Sequence, residues 1–283
     1  MAIPYISGFT VKPSSISSLG VVTFTDGTND ITPNQLQCEA YGYTYDQASG
    51  TCSTFRYNTN LNRSFDNINN SIQGSRNSTE TGTNNTLVMG ESNTVKGFSR
   101  NNIISGSGNE ISNGINDSKI SGKMGKVIRQ GEVVLGGGSY NIGAGYTQSS
   151  KIQLSTKTTD ATPTNLYVQD IVGEYITLQN NSILGYDIFL TRLETGGTSG
   201  VAGQFCYRSN NGAVRVTNTG SIIIYDFQTK NIAKKGVNAS FIVVDSTTGG
   251  IPSITVQVTD RANVNNLWSA TVYLHELATN IAI

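Results

Sequence analysis

A 16-residue periodicity between about residues 66 and 138 constrains this chain more than any other feature of its sequence. Glycine recurs in a fixed register, and an aliphatic residue stands two positions before most of these glycines. The glycines are Gly74, Gly90, Gly106, Gly122 and Gly138, and the aliphatic residues are Ile72, Val88, Ile104 and Ile120. Self-similarity at a fixed period indicates stacked structural units rather than an ordinary globular arrangement. The period also favours a scaffold over a catalyst.

The other half of the repeat has a second register. Asparagine recurs at Asn77, Asn93 and Asn109, and Thr79, Val95, Ile111 and Val127 follow in the same spacing. In the clearest half-repeat, Asn93 to Gly97, a short strand would place one branched side chain inward and glycine would form a corner with positive φ. Asparagine tolerates the left-handed region, and its amides can form ladders between successive coils. The pattern predicts a β-solenoid with two short strands per coil.

The predicted solenoid is thin. One inward aliphatic side chain per half-coil stabilises by only about 1.5–3 kcal/mol when fully buried. Three such rolls packed about an axis would bury further aliphatic positions such as Leu87 and Ile103, so we expect a homotrimer. A disordered Asn/Gly/Ser-rich linker is the alternative, because low hydrophobicity is typical of disorder. The fixed spacing argues against a linker.

Composition narrows the class of protein further. Only 13% of the 283 residues are charged and the formal net charge is zero, so no basic stripe is present to bind nucleic acid. Abundant glycine with Val, Ile, Thr and Tyr in the apolar stretches indicates an all-β protein. Neither a signal peptide nor an apolar segment long enough for a transmembrane helix is visible. Cys38 and Cys52 flank a predicted hairpin, and both a disulfide and free thiols are compatible with that position.

The chain divides by pattern into residues 1–63, 64–150 and 151–283. The first region is predicted to contain a strand over residues 21–25, a short helix with Thr32 as N-cap and Pro33 as first helical residue, and a hairpin around residues 46–50. The second region holds the solenoid. The third alternates apolar and polar residues in seven or eight short stretches, which predicts an antiparallel β-sandwich of jelly-roll type with Trp268 in its core.

Catalytic, cofactor-binding and metal-binding residues are not expected. The acids of the repeat share no register that would stack them as a pair, and those of the third region are scattered; they are Glu80, Glu91, Glu110, Asp117, Glu132, Asp170, Glu174, Asp187, Glu194 and Asp226. His275 is the only histidine and shares a predicted strand face with Tyr273. No GxSxG motif accompanies it, and no CxxC pair is present. We therefore expect that the protein is not an enzyme.

Two segments resemble known families. The repeat NTLVMGESNTVKGFSRNNIISGSGNEISNG resembles the head repeats of trimeric autotransporter adhesins, which form trimeric β-rolls. The segments NNSILGYDIFLTRLETGGTSGVAGQFCYR, GGIPSITVQVTD and LWSATVYLHEL resemble a domain at the ends of bacteriophage fibre proteins, and CEAYGYTYDQASGTC resembles leader regions of phage structural proteins. An autotransporter needs a secretion signal and a membrane anchor, which are not visible here, whereas a phage fibre needs neither. The phage resemblance is therefore favoured.

The resemblance implies a virion fibre subunit, made in the host cytoplasm. It would be joined to other virion proteins by residues 1–63 and would bind a host receptor or surface glycan through residues 151–283. Candidate contact residues are Glu194, Thr198, Ser199, Asn210 and Asn211, which we expect in Gly/Ser/Asn-rich loops. In the same region we expect Gly200 to tolerate alanine better than Gly106 tolerates valine. The alternatives are an architectural head fibre or decoration protein without a specific receptor, and a bacterial surface adhesin.

Overall fold

A computed structural model describes residues 11–47, 49–54, 69–140 and 142–283 of the chain. The chain forms two compact units, residues 1–61 and 62–283. The structure is 55% strand and 2% helix and contains a β-solenoid of about 4 turns, which confirms the predicted all-β class and the solenoid. The predicted start of the repeat near residue 66 and the boundary at residue 63 lie outside the described residues.

The first unit is a small disulfide-bonded arrangement of short elements. They are β1 (Lys12–Ile16), β2 (Val22–Thr25), β3 (Asp30–Ile31), α1 (Gln35–Ala40), β4 (Thr44–Asp46) and β5 (Thr51–Ser53). Strands β1 to β3 form an antiparallel sheet and β4 pairs with β5. Cys38 and Cys52 are joined by a disulfide and, with Val22 and Phe24, form the core of this unit.

The helix of the first unit begins later than the sequence predicts. Its N-cap is Asn34, because the Asn34 side chain accepts a hydrogen bond from the Gln37 amide while the Gln37 side chain accepts one from the Asn34 amide, each at 2.9 Å. This reciprocal pair satisfies two donors that a helix start leaves open. The prediction of Thr32 as N-cap and Pro33 as first helical residue is therefore wrong.

The solenoid has one longer and one shorter strand in each coil. The longer strands are β6 (Ser71–Ser75), β8 (Leu87–Glu91), β10 (Ile103–Ser107), β12 (Lys119–Lys123) and β14 (Val133–Gly137). The shorter strands are β7 (Ser78–Thr79), β9 (Thr94–Val95), β11 (Glu110–Ile111) and β13 (Lys126–Val127). The strands of each set are parallel to one another, and the shorter strands form a separate four-stranded sheet. The inward side chains form one buried aliphatic cluster that includes Val88, Val95, Ile104, Ile111 and Ile120.

The glycines at the 16-residue positions form a close-packed column. Gly74, Gly90, Gly106 and Gly122 have φ between 94° and 117°, a region that favours glycine. A Cβ atom built on Gly106 would lie 1.9 Å from the carbonyl oxygen of Gly122. Both the backbone conformation and the coil above therefore require the absence of a side chain.

Two predicted corners differ from the structure. Gly122 pairs with Gly136 rather than Gly138, because the segment between β13 and β14 is two residues shorter than the corresponding segment between β11 and β12. Gly138 therefore lies outside the column, although its φ is 109°. At the second corner the left-handed residue is not Gly97 but its neighbour Phe98, which has φ 57°. The same corner is occupied in the adjacent coils by Gly82 and Gly114, with φ 86° and 73°.

A buried asparagine ladder runs through the solenoid. The Asn77 side-chain oxygen accepts bonds from the Asn93 amide and side-chain nitrogens, and the Asn93 oxygen accepts one from the Asn109 amide, all at 3.0 Å. The Asn109 oxygen then accepts one at 2.8 Å from the amide of Gly125, where the asparagine series ends. These bonds satisfy polar groups that would otherwise be costly to bury in the coil interior.

The remaining strands form two facing sheets. They are β15 (Thr147–Thr158), β16 (Thr164–Asn165), β17 (Tyr167–Val168), β18 (Ile176–Thr177), β19 (Ser182–Gly196), β20 (Phe205–Val216), β21 (Ile222–Lys235), β22 (Ser240–Asp245), β23 (Ser253–Thr259) and β24 (Asn265–Ala278). Strands β15, β24, β19, β20 and β21 are antiparallel and much longer than the predicted short strands. The smaller sheet contains β16, β23, β18 and β22. Both sheets contribute to one core, in which Trp268 is 2% exposed.

Strand β15 joins the solenoid to the long antiparallel strands. It pairs with β14, the last longer strand of the solenoid, and along its whole length with β24. The sheet of the solenoid is thus hydrogen-bonded without interruption to the C-terminal strands, in the order β21-β20-β19-β24-β15-β14-β12-β10-β8-β6. Residues 150 and 151, where the sequence pattern changes, lie inside this strand.

Candidate functional site

The first predicted contact residue, Glu194, is buried and organises a loop instead of facing solvent. Its side chain is fully buried and accepts hydrogen bonds from the Val201 amide and, at 2.7 Å, from the Arg261 guanidinium. The buried Arg192 guanidinium lies 3.7 Å from the same carboxylate and also pairs with Asp260. Glu194 is therefore corrected from a receptor contact to an anchor of the segment between β19 and β20.

The other predicted contact residues lie in different environments. Thr198 and Ser199 are exposed in the loop between β19 and β20, as expected of a contact loop. Asn210 and Asn211 are not in a loop but inside strand β20. Asn210 is 2% exposed and donates to the Thr229 hydroxyl at 3.1 Å, so it is not available for a contact. Asn211 is half-buried on the opposite side of the strand.

Gly200, in the same loop, is more constrained than the sequence suggests. A Cβ atom built on it would lie 2.0 Å from the carbonyl oxygen of Gly196. The loop also packs on the segment before β24, where the Ser199 amide donates to the Asn263 carbonyl at 3.1 Å. Alanine at Gly200 would therefore meet a close contact, but Gly106 has a similar contact and a φ of 115° as well, so the expectation that Gly200→Ala matters less than Gly106→Val stays a prediction.

Two acidic side chains meet where the solenoid ends, one from its last coil and one from outside the repeat. Glu132, just before β14, and Glu276, in β24, both bind the buried guanidinium of Arg129. The Arg129 Nη1 atom lies 2.5 Å from Glu132 Oε1 and 2.8 Å from Glu276 Oε1. Arg129 Nε also donates to the Thr177 carbonyl at 2.6 Å. One cation thereby joins the last coil of the solenoid, β24 and β18.

The two carboxyls of this cluster have opposite pKa shifts. Burial raises the pKa of Glu132, and the positive charge of Arg129 offsets only part of that effect. Burial would also raise the pKa of Glu276, but the charge and hydrogen bonds of Arg129, with bonds from Ser150 and Gln148, together lower it. Both side chains are shielded from solvent, and together with Arg129 they lie inside the junction between the solenoid and the C-terminal strands.

The long antiparallel strands leave one broad face uncovered by the smaller sheet. We call the outward side of β15, β24, β19, β20 and β21 the open face. Three aromatic side chains form a diagonal line across it: Tyr273, Phe189 and Tyr207. The ring centroids of Phe189 and Tyr273 are 6.1 Å apart in an edge-to-face arrangement, and those of Phe189 and Tyr207 are 6.2 Å apart and stacked. Tyr273 is 40% exposed.

Polar side chains border this aromatic line. Asp187 is opposite both Tyr273 and Asn211 in register. The Asn211 side-chain amide donates to one oxygen of the Asp187 carboxylate, and His275 Nε2 lies 3.3 Å from the other. Lys151 Nζ lies 5.9 Å from the centroid of the Tyr273 ring. The open face therefore combines aromatic surfaces with oriented hydrogen-bonding and charged groups.

Sequence reasoning found only part of this arrangement. It placed His275 and Tyr273 on one strand face and singled out Asn211, and the structure brings these three residues together around Asp187. It missed Phe189 and Tyr207 as members of the same surface. The alternation of residues 186–191 was a usable signal for Phe189, whereas the pairing of β19 with β20 could not be read from local pattern.

Neither a cluster of metal-ligating side chains nor a membrane-spanning helix occurs in the described ranges. Across residues 11–47, 49–54, 69–140 and 142–283, no three His, Cys, Asp or Glu side chains come close enough together to hold a metal ion. Over the same ranges, no helix has the length and apolar character needed to cross a membrane.

Comparisons with known proteins return structural similarity alone. No protein-family model matches the chain, and no curated protein matches it. Among solved structures, the Acinetobacter baumannii phage AM24 tailspike protein is similar at 9% identity and a TM-score of 0.29, covering 71% of this chain and 42% of that one. The Acinetobacter phage vB_ApiP_P1 tailspike protein is similar at 11% identity and a TM-score of 0.23, covering 74% and 49%.

A third similar structure is a tailspike protein, gp49, from Acinetobacter baumannii bacteriophage Fri1, which is described as a capsular polysaccharide depolymerase. The identity is 10%, the TM-score is 0.25, and the match covers 75% of this chain and 34% of that one. This chain thus spans less than half the length of each of the three tailspikes. The expectation that the protein is not an enzyme is corrected here, because the structures similar to it include an enzyme.

Proposed function

We propose that this chain is a virion fibre or tailspike-type subunit of a bacteriophage that binds polysaccharide on the surface of the host cell. The observation that carries the proposal is the uninterrupted sheet from the solenoid strand β6 to the C-terminal strand β21. Such a sheet makes the solenoid and the open face one hydrogen-bonded element. A rigid support of this kind suits a surface that must present a binding site away from a particle.

The proposal assigns a role to each part of the chain. Residues 1–63 attach the subunit to other virion proteins, residues 64–150 form the stalk and residues 151–283 contact the host. Self-association as a homotrimer is part of the proposal, supported by apolar side chains on the outer side of the longer solenoid strands. Ile103, Val133 and Leu135 are 41%, 46% and 58% exposed there. Burying such side chains between chains is favourable.

An architectural virion protein without a receptor is the second candidate. The same exposed aliphatic side chains that favour self-association would also suit packing against other virion proteins. The open face separates the two candidates, since packing alone does not need Asp187 held between Asn211 and His275.

Two measurements on the full chain test the proposal. Light scattering in native buffer should give about three times the chain mass of 30.2 kDa. The labelled protein should bind encapsulated host cells, and binding should fall when purified capsular polysaccharide competes. Following the size of the polysaccharide during incubation then tells whether binding is accompanied by cleavage. A monomer would refute the trimer, and the absence of binding to any strain would favour the architectural candidate.

A further inference from the structure

The open face carries an excess of positive charge. Apart from Asp187, the described charged side chains that lie on it by register are all cationic: Lys151, Lys157, Arg215, Lys230 and Lys235. The whole chain, by contrast, has equal numbers of acidic and basic residues and no formal net charge. The excess is therefore a local property of this surface, and a local positive field attracts anions.

The aromatic line suits the apolar faces of sugar rings. An aromatic ring presents a negative face that attracts the slightly positive C–H groups of a sugar, and tyrosine adds a polar edge. Tyr273, Phe189 and Tyr207 lie on three adjacent strands at similar spacings. A line of rings crossing the strands can support successive sugars of one chain, which a single ring could not do.

The groups beside the aromatic line suit the polar parts of a sugar. The Asp187 carboxylate is oriented by Asn211 and His275, so it can accept bonds from sugar hydroxyls without first reorganising. Ala213, the next outward position on β20, carries only a methyl group, and Gly185 on β19 leaves room for the His275 side chain to lie beside it. Lys151, which stands over Tyr273, can pair with a carboxylate substituent.

We propose that the open face binds an acidic polysaccharide, one with carboxylate-bearing sugars, along the line Tyr273–Phe189–Tyr207. This inference rests on the proposed function and specifies its site and ligand class. The positive charge also selects between occupants, because two open faces brought together would repel each other. A polyanion is therefore favoured over a second copy of this face.

The test uses the full chain and a panel of purified bacterial capsular polysaccharides, some with uronic or sialic acids and some with neutral sugars only. The wild-type protein should bind members of the acidic group. Tyr273→Ala and Phe189→Ala should each weaken that binding tenfold or more. Lys151→Gln should weaken it less and should also reduce its dependence on salt concentration. Lys12→Gln, at an exposed position of β1, and Tyr140→Ala, on an exposed loop, are the controls and should leave binding unchanged.

Each other outcome has a definite meaning. Binding that survives all three open-face variants would overturn the site, and binding confined to neutral polysaccharides would overturn the acidic ligand class; both would leave glycan binding intact. No binding to any polysaccharide would overturn the proposed function as well. Thermal unfolding and light scattering accompany every variant. Loss of the oligomer in Tyr273→Ala would identify the face as a subunit interface, and loss of stability with full binding would identify the rings as cross-strand packing only.

Discussion

The solenoid and the long-stranded C-terminal region are both built of β-strands, but their stability has different origins. In the solenoid each coil contacts its neighbours, and residues in contact are close in sequence: Ile104 pairs with Val88 and Ile120. In the C-terminal region, by contrast, strand pairing joins residues that are far apart in the sequence, such as Thr147 and Leu277. The solenoid should therefore behave as a sum of similar units, whereas the C-terminal core should unfold as a whole.

The interiors of the two regions differ in the same way. The solenoid interior alternates narrow aliphatic columns with satisfied polar columns such as the ladder of Asn77, Asn93 and Asn109. The C-terminal core is a single apolar cluster between two sheets, with Trp268 inside it. A thin repeat can thus bury a continuous ladder of amides because successive coils satisfy them, whereas the buried amides Asn210 and Asn266 of the C-terminal region each donate to a threonine hydroxyl.

The largest expected effect comes from removing the cation that joins the two regions. Arg129→Met leaves Glu132 and Glu276 buried without their shared partner, which should lower the free energy of unfolding by about 3–5 kcal/mol. Because Trp268 is the only tryptophan, its fluorescence reports the C-terminal core alone. Hydrogen exchange of solenoid amides reports the other region. We expect the two transitions to separate in the variant.

Two controls define what that result means. The exposed pair Arg76–Glu91 lies at the other end of the solenoid, so Arg76→Met should change stability by less than about 1 kcal/mol. Adding Glu132→Gln and Glu276→Gln to Arg129→Met should recover much of the loss, because no buried charge then remains unpaired. Transitions that stay coincident in Arg129→Met would show that β15 alone couples the two regions.

A smaller effect is expected from a side chain in the glycine column. Gly106→Val places a Cβ 1.9 Å from the Gly122 carbonyl oxygen and forces a branched residue to φ 115°, which should cost about 2–4 kcal/mol. Gly114→Ala is the control, since its φ is 73° but a Cβ there meets nothing within 4 Å. It should cost about 1 kcal/mol. Equal urea midpoints for the two variants would contradict the close approach of the coils.

The two regions also differ in how far their folds could be predicted. The solenoid was predictable because its contacts repeat in sequence: Gly74 to Gly122 and the asparagine series occupy equivalent positions in successive coils. The end of the solenoid was not predictable, because its last coil is two residues shorter and pairs Gly122 with Gly136. The glycine run at residues 136–138 fits this pairing and the 16-residue spacing to Gly138 equally well. In the C-terminal region local alternation revealed strands but not their lengths or partners.

The candidate site shows the same limit. Alternation placed Tyr273 and His275 on one face, because that requires only the period of a strand. Bringing Asp187 and Asn211 to them requires the pairing of β24, β19 and β20, which depends on segments far apart in the chain. Glu194 was misplaced for a related reason: glycine and serine after it signal a loop, but its partner Arg261 comes from the segment between β23 and β24.

A moderate effect is expected from the buried ladder. Asn93→Ala removes the acceptor for the Asn109 amide and the donor to the Gly106 carbonyl, so buried backbone groups lose their partners at a cost of about 1–3 kcal/mol. The control is Asn101→Gly, in an exposed ladder where the Asn85 side chain donates to Asn101 at 3.2 Å and Asn101 donates to Asp117 at 2.9 Å. Glycine accepts the φ of 55° at that position, and we expect a change of less than about 0.5 kcal/mol. Faster hydrogen exchange of the Asn109 amide in Asn93→Ala, but not in Asn101→Gly, would show directly that this hydrogen bond is lost.

The smallest effect is a pH dependence of the junction, because the opposing shifts of Glu132 and Glu276 partly cancel. The pKa of Glu276 is lowered in the folded protein, so Glu276 adds to the free energy of unfolding above the ordinary glutamate pKa of about 4.3. That stabilisation is lost as the pH falls through the lowered pKa. The raised pKa of Glu132 means that its contribution is present below that ordinary value and is lost as pH rises. The pair titrates together, so the prediction concerns their sum.

Glu132→Gln separates these two contributions. It removes the group whose stabilisation is lost on the alkaline side, so the unfolding free energy of the variant should decline less than that of the wild type as pH rises above about 4.3. The acid-side loss due to Glu276 should remain. Urea unfolding between pH 3 and pH 8, followed by Trp268 fluorescence, measures both limbs. If the unfolding free energy of the variant declines above about pH 4.3 as much as that of the wild type, the raised pKa belongs to another group. If the variant no longer loses stability at acid pH, Glu132 and not Glu276 is the carboxylate that Arg129 holds ionised.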